Sequence, residues 1–133
     1  MNPSFLRPLL RGPATKLVIV NSRNQRVLAH DLIAAFDSKT RRTGLLQHEQ
    51  FPAGSAMLIA PSNAVHTFFM RFPIDIAFVT REGRIVKTYG ALAPWRIAAA
   101  FRGYAVIELP AGTLSESDTV AGDTLTIVPA EQV

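Results

Sequence analysis

Short apolar runs broken by turn residues, rather than a helical repeat, organise this chain. Lys16-Leu17-Val18-Ile19-Val20 reads as a strand. The turn chemistry of Asn21-Ser22-Arg23-Asn24 then leads to Arg26-Val27-Leu28-Ala29-His30 as its hairpin partner. Further strands are predicted over Ala56–Ala60, Val65–Arg71, Ile74–Thr80, Ile85–Tyr89, Ile97–Phe101, Tyr104–Leu109 and Leu125–Val128. Arg81-Glu82-Gly83-Arg84 between two of these runs suggests a second hairpin. Asp37-Ser38 offers an N-cap oxygen and Gly44 a left-handed stop, which predicts a helix of about two turns over Lys39–Thr43. A one-turn piece is expected near Ser115–Thr119.

Many short strands with so little helix predict a mainly β protein, α+β only at the margin. The expected form is a compact antiparallel sheet folded into a barrel-like or sandwich-like single domain with one or two short helices. Pro3, Pro8, Gly12 and Pro13 disfavour regular structure at the start. Residues 1–14 are therefore expected to form an irregular arm and residues 15–133 the domain.

Composition narrows the class. A chain of 133 residues that is 48% hydrophobic and 18% charged is too apolar for disorder and long enough for one core. It has no cysteine, which excludes a disulfide frame, a thiolate nucleophile and any sulfur-ligated zinc site. The net charge of +4 is uneven: up to Arg42 there are eight Lys/Arg against two Asp/Glu, and afterwards six against eight. The early cations are spread out with little aromatic company, so a solvated basic face is favoured over a nucleic-acid surface. The longest apolar run near the start, Leu9-Leu10, is bounded by Pro8 and Arg11. No export signal or membrane span is read there, and a cytoplasmic location is expected.

No nucleophile elbow, phosphate loop, metalloprotease helix or calcium loop occurs in the sequence. The distinctive run is His66 to Val79, HTFFMRFPIDIAFV. Read as a strand, it places His66, Phe68 and Met70 on one face and Thr67, Phe69 and Arg71 on the other, mixing polar and aromatic groups on both. Asp75 stands among Ile74, Ile76, Ala77, Phe78 and Val79. An unpartnered carboxylate buried there would cost several kcal/mol, so it must be partnered. Arg71, Arg96 and backbone amides at the Pro73 bend are the candidates. His66 is either a polar cap on its strand or a site residue. Trp95, between Pro94 and Arg96, is either core or a platform for a flat ligand.

The run His66 to Phe78 resembles the DUF192 family, small bacterial and archaeal proteins sharing a domain of unknown function. The likeness continues through Gly83-Arg84-Ile85-Val86, Pro94-Trp95-Arg96, Glu108-Leu109-Pro110-Ala111-Gly112 and Gly122-Asp123. Upstream, Arg41-Arg42-Thr43-Gly44-Leu45-Leu46 and Met57-Leu58 resemble the same family's helix-to-GL motif and the strand after it. The resemblance implies a compact β-rich fold with a short helix and implies no activity. Phe69 stands where relatives often have a small residue or tryptophan, and the signal or lipid anchor that many relatives carry is not expected in this sequence.

Three functions are open at this stage. The first is a non-catalytic binding domain in which His66, Met70, Arg71, Asp75, Trp95, Arg96 and Glu108 line a polar-aromatic groove for a small anionic or sugar-like ligand or a peptide. The second is a protein-interaction module using a strand edge or the basic arm. The third is a hydrolase or lyase in which Asp75 or Glu108 works with His66; it requires convergence of these groups. No cofactor or metal is implied, beyond an adventitious ion at His66 and Asp75.

Overall fold

A computed structural model of the chain describes residues 5–10, 16–35 and 51–133. The strands among these residues are β1 (Leu17–Asn21), β2 (Val27–Ala29), β3 (Asp31–Ala35), β4 (Ser55–Ile59) and β5 (Ala64–His66). They continue with β6 (Ile74–Val79), β7 (Ile85–Leu92), β8 (Ile97–Ala99), β9 (Ala105–Pro110) and β10 (Leu125–Pro129). Two single-turn helices, α1 (Arg7–Leu10) and α2 (Thr113–Glu116), accompany them, and a 3-10 turn follows β10.

Five strands form the central sheet in the order β3-β4-β9-β6-β7. The inner three are buried and apolar apart from Ser55, Asp75 and Glu108, because both faces of the sheet are covered. One face, with Leu58, Ala77, Val79, Ile107 and Leu109, packs on Ile19, Leu28, Leu125 and Ile127 of a second sheet, β10-β1-β2. The other face, with Met57, Ile74, Ile76, Phe78 and Val106, packs on Phe51, Met70, Phe72, Ala98 and Ala100. Ala98 belongs to a two-stranded ribbon, β5–β8, that lies over this second core. The large sheet ends at β3 and β7, which do not pair with one another, so it is open. Of the two predicted forms, sandwich and barrel, the chain adopts the sandwich-like one. Its pairing is antiparallel except at β3 and β4, which run parallel from Asp31↔Ser55 to Ala35↔Ile59.

Over its described part the N-terminal segment packs against the domain: Phe5 and Leu6 are buried in the first core, and the Phe5 amide donates to the Arg81 carbonyl at 2.9 Å. Prolines do not prevent this, because one helical turn starting beside Pro8 leaves no interior amide to lose. The strand expected over Val65–Arg71 stops at His66, and the chain turns back with the Met70 amide donating to the Thr67 carbonyl at 3.2 Å. The piece expected near Ser115–Thr119 begins earlier, at Thr113, for a reason that lies in Asp75 and is given below. The predicted helix over Lys39–Thr43 and the Arg41–Leu46 motif fall outside the described residues.

Candidate functional site

Asp75 is 2% exposed, as its apolar neighbours require, but its partners are backbone amides alone rather than the guanidinium groups of Arg71 or Arg96. Its Oδ1 accepts from Ala91 at 2.8 Å, and its Oδ2 accepts from Gly112 at 3.1 Å and Leu114 at 2.9 Å. The first of these amides belongs to β7, where the pairing with β6 shifts register and Ala91 takes a positive φ of 46°. The other two open α2, which has no side-chain cap of its own. Asp75 thus caps α2 from the neighbouring strand and fixes where that helix begins. None of the three amides comes from the Pro73 bend.

The two carboxylates of the enzymatic reading do not meet. In the β6–β9 register Asp75 lies opposite Leu109 and Glu108 opposite Ile76. Since successive side chains alternate, Asp75 shares the face of the first core and Glu108 that of the second, where Met57 is its neighbour on β4. His66 stands apart on the ribbon, its ring stacked on Phe68 at 4.6 Å and its Nδ1 accepting the Phe68 amide at 3.2 Å. Asp75 and Glu108, on opposite faces of the sheet, therefore form no two-carboxylate pair.

What the structure does bring together is aromatic. Phe68 stacks on Trp95 with centroids 6.0 Å apart, and Phe69 meets the same indole at 4.7 Å and 57°. Phe69 is 62% exposed and Trp95 55%, so the pair forms a shelf at the surface and neither is core. Both residues have left-handed backbones, with φ of 68° and 65°. A bulky residue pays strain there, and such strain persists only where surrounding structure imposes it.

Thr67 imposes it. It is fully buried; its hydroxyl donates to Ala93 O at 2.8 Å and accepts the Arg96 amide at 2.8 Å. Its own amide donates to Arg96 O at 2.8 Å, and its carbonyl accepts the Trp95 amide at 2.9 Å. The Phe68-Phe69 turn and the Pro94-Trp95 turn are thereby clipped to one another. A threonine hydroxyl that satisfies backbone groups so fully competes with strand pairing, which explains why β5 ends just before it. Arg71 and Arg96 are exposed beside this shelf, and Met70 is buried beneath it with Phe72. Sequence reading missed Thr67, whose only signal was a polar residue at a position that the strand pattern placed on an ambiguous face.

The aspartate–arginine fork expected at Asp75 occurs elsewhere, between Asp123 and Arg23. Arg23 Nε donates to Asp123 Oδ1 at 2.8 Å and Nη2 to Oδ2 at 3.1 Å. Asn21 and the Val120 amide add donors at 2.9 and 3.0 Å. The Arg23 hydrogen bond, then that from Val120, hold the Asp123 carboxyl well below the usual carboxylate range despite its burial. Arg23 also reaches the Asp118 carbonyl, and Asn24 and Arg26 donate to Ser117 O and Glu116 O, so the β1–β2 turn binds the end of α2. These groups form a structural clasp around a small helix that Asp75 caps from its other end.

Among the described residues no three His, Asp or Glu side chains gather as a metal site, and no helix is long and apolar enough to cross a membrane. A mainly β, sandwich-like domain with an exposed aromatic shelf is the class these observations define. The DUF192 family model, described as an uncharacterized ACR, matches residues 18–127, and the chain belongs to that family. Two solved structures share the fold at a TM-score of 0.69. One, described as a "putative transcription regulator" from Sinorhizobium meliloti 1021, is 21% identical, with 86% of this chain and 96% of that one covered. The other, a protein of unknown function from Novosphingobium aromaticivorans DSM 12444, is 18% identical, with 83% and 82% covered. No curated protein matches the sequence.

Proposed function

We propose that the protein is a non-catalytic binding domain whose shelf of Phe68, Phe69 and Trp95 receives the flat face of a sugar-like ring. Arg71 and Arg96 flank the shelf in the chain, and a planar guanidinium suits a carboxylate on that ring, so an acidic saccharide is the favoured ligand class. The single observation that carries this reading is the strained, exposed Phe69–Trp95 pair, held open by the fully buried Thr67. A core would bury two such rings; nothing in packing alone accounts for strain spent on exposure.

Trp95 is the sole tryptophan, so its emission reports on the shelf directly. Titration with oligomers of uronic acids, with neutral oligosaccharides as the comparison, should give a saturable change that is stronger for the acidic series and weakened by Arg71→Ala or Arg96→Ala. An emission spectrum unmoved by either series would end the saccharide reading. A protein segment is the second reading, favoured by Ile97, which is 68% exposed next to the shelf on β8 and opposite His66. It predicts self-association or partner capture visible by light scattering and lost in Ile97→Lys.

A further inference from the structure

A second surface, apart from the shelf, has the chemistry of an anion site. Between β7 and the turn after β8 lies a cleft of about 340 Å³ lined by Val86, Lys87, Ala99, Ala100, Phe101 and Arg102. Its two ionisable groups are both cations, and no acidic residue lines it. Among the described residues neither Lys87 nor Arg102 has a carboxylate within ion-pair distance. At its lip Phe101 is 96% exposed, a placement that burial energetics alone would reverse.

The cleft is a built feature. The Tyr89 hydroxyl donates to Ala99 O at 2.9 Å and accepts the Ala99 amide at 3.2 Å, which ties β8 to β7 next to the cleft. Lys87 Nζ lies 4.8 Å over the Tyr89 ring. The same lysine, followed by the Ala99 contact, draws the Tyr89 hydroxyl below its ordinary pKa, as a positive wall should. The turn itself is closed by the Gly103 amide on Ala100 O at 2.9 Å, so Phe101 and Arg102 are presented from a fixed loop.

We propose that this cleft binds the terminal phosphate or carboxylate of a small ligand through Lys87 and Arg102, with Phe101 covering the flat ring that carries it. Two cations line the cleft with no carboxylate beside them, so an anion is the group that complements its charge, and the guanidinium fork is matched to a planar or tetrahedral oxyanion. An exposed phenyl ring beside them adds stacking for an aromatic or nucleoside-like body. The volume suits a small molecule rather than a polymer segment.

The test is an amide-resolved NMR titration of the full chain with phenyl phosphate, benzoate and inorganic phosphate. Phenyl phosphate or benzoate should shift Lys87 and Ala99–Arg102 saturably, and whichever of the two binds more tightly identifies the natural anion. Lys87→Ala and Arg102→Ala should each weaken binding about tenfold. Phe101→Ala should remove the advantage of phenyl phosphate over inorganic phosphate. Trp95→Ala should change nothing at this cleft, which separates the outcome from that of the saccharide titration. Shifts spread evenly over all surface cations, shifts that survive Lys87→Ala, or no saturable shift with any of the three anions would overturn the proposal.

Discussion

Thr67 and Arg96 hold one another twice: the threonine hydroxyl accepts the Arg96 amide at 2.8 Å, and the threonine amide donates to the Arg96 carbonyl at the same distance. The pair converts two loops into one rigid support. Thr67→Val keeps the shape but leaves the Arg96 amide and the Ala93 carbonyl without their partner. It should cost about 1–3 kcal/mol in denaturant unfolding and loosen the aromatic shelf, broadening the Trp95 emission band. A variant as stable as the parent would show that solvent replaces the hydroxyl.

Trp95→Gly tests whether strain is stored for binding. Glycine adopts a φ of 65° without penalty, and the lost indole was 55% exposed. Release of local strain is offset by the greater freedom of glycine in the unfolded chain, so thermal unfolding should stay within about 1 kcal/mol of the parent. Calorimetric titration with the uronic-acid oligomers should at the same time show binding lost. A fall in stability of several kcal/mol would identify the indole as a packing residue.

Asp75→Ala should be among the most damaging single changes. It removes the acceptor for the Ala91, Gly112 and Leu114 amides together. Hydrogen bonds to a charged group contribute about 1.5–3 kcal/mol each when broken singly, and the three share one side chain, so a loss of about 3–5 kcal/mol is expected. Asp75→Asn keeps one carbonyl for α2 but turns an NH₂ toward the remaining donor, and should fall between. Chemical denaturation midpoints compare the three proteins.

Acid should act through Asp123. Its folded carboxyl is held below the ordinary value of 3.8 by Arg23 and Val120, so on unfolding it takes up a proton more readily. A depressed folded pKa contributes stability that is complete above the unfolded value and disappears as pH falls from there toward the folded one. Melting temperature should therefore decline below about pH 4 in the parent. Asp123→Asn should melt about 5–10 °C lower at neutral pH and show a shallower acid decline. Parallel acid profiles for the two proteins would remove Asp123 from this role.

The strands were legible where apolar residues dominate a run. Ala56–Ala60, Ile74–Thr80 and Tyr104–Leu109 foretell β4, β6 and β9 because a strand covered on both faces is mostly hydrophobic, with Asp75 and Glu108 the single charges of the last two. Burial of Asp75 was legible for the same reason. Its partners were not, since backbone amides carry no letter of their own and Ala91, Gly112 and Leu114 reach it only through the fold. Charge complementarity suggested arginine; geometry assigned arginine to Asp123, whose flanking Gly122 marked only a turn. Thr67 was hidden by an alternation rule that ceased to apply one residue earlier, at His66. Trp95 stayed undecided because exposure of a loop indole depends on the turn that faces it.

The pairing of β1 with β10, from Leu17↔Pro129 to Asn21↔Leu125, joins strands far apart in the sequence. Until β10 has been made, the second sheet holds only the β1–β2 hairpin, and the other edge of β1 has no strand beside it. A permuted form of residues 1–133, with Val133 joined to Met1 and the opening placed at an exposed turn such as Arg81-Glu82, would present these strands as neighbours in time and should reach its native state sooner.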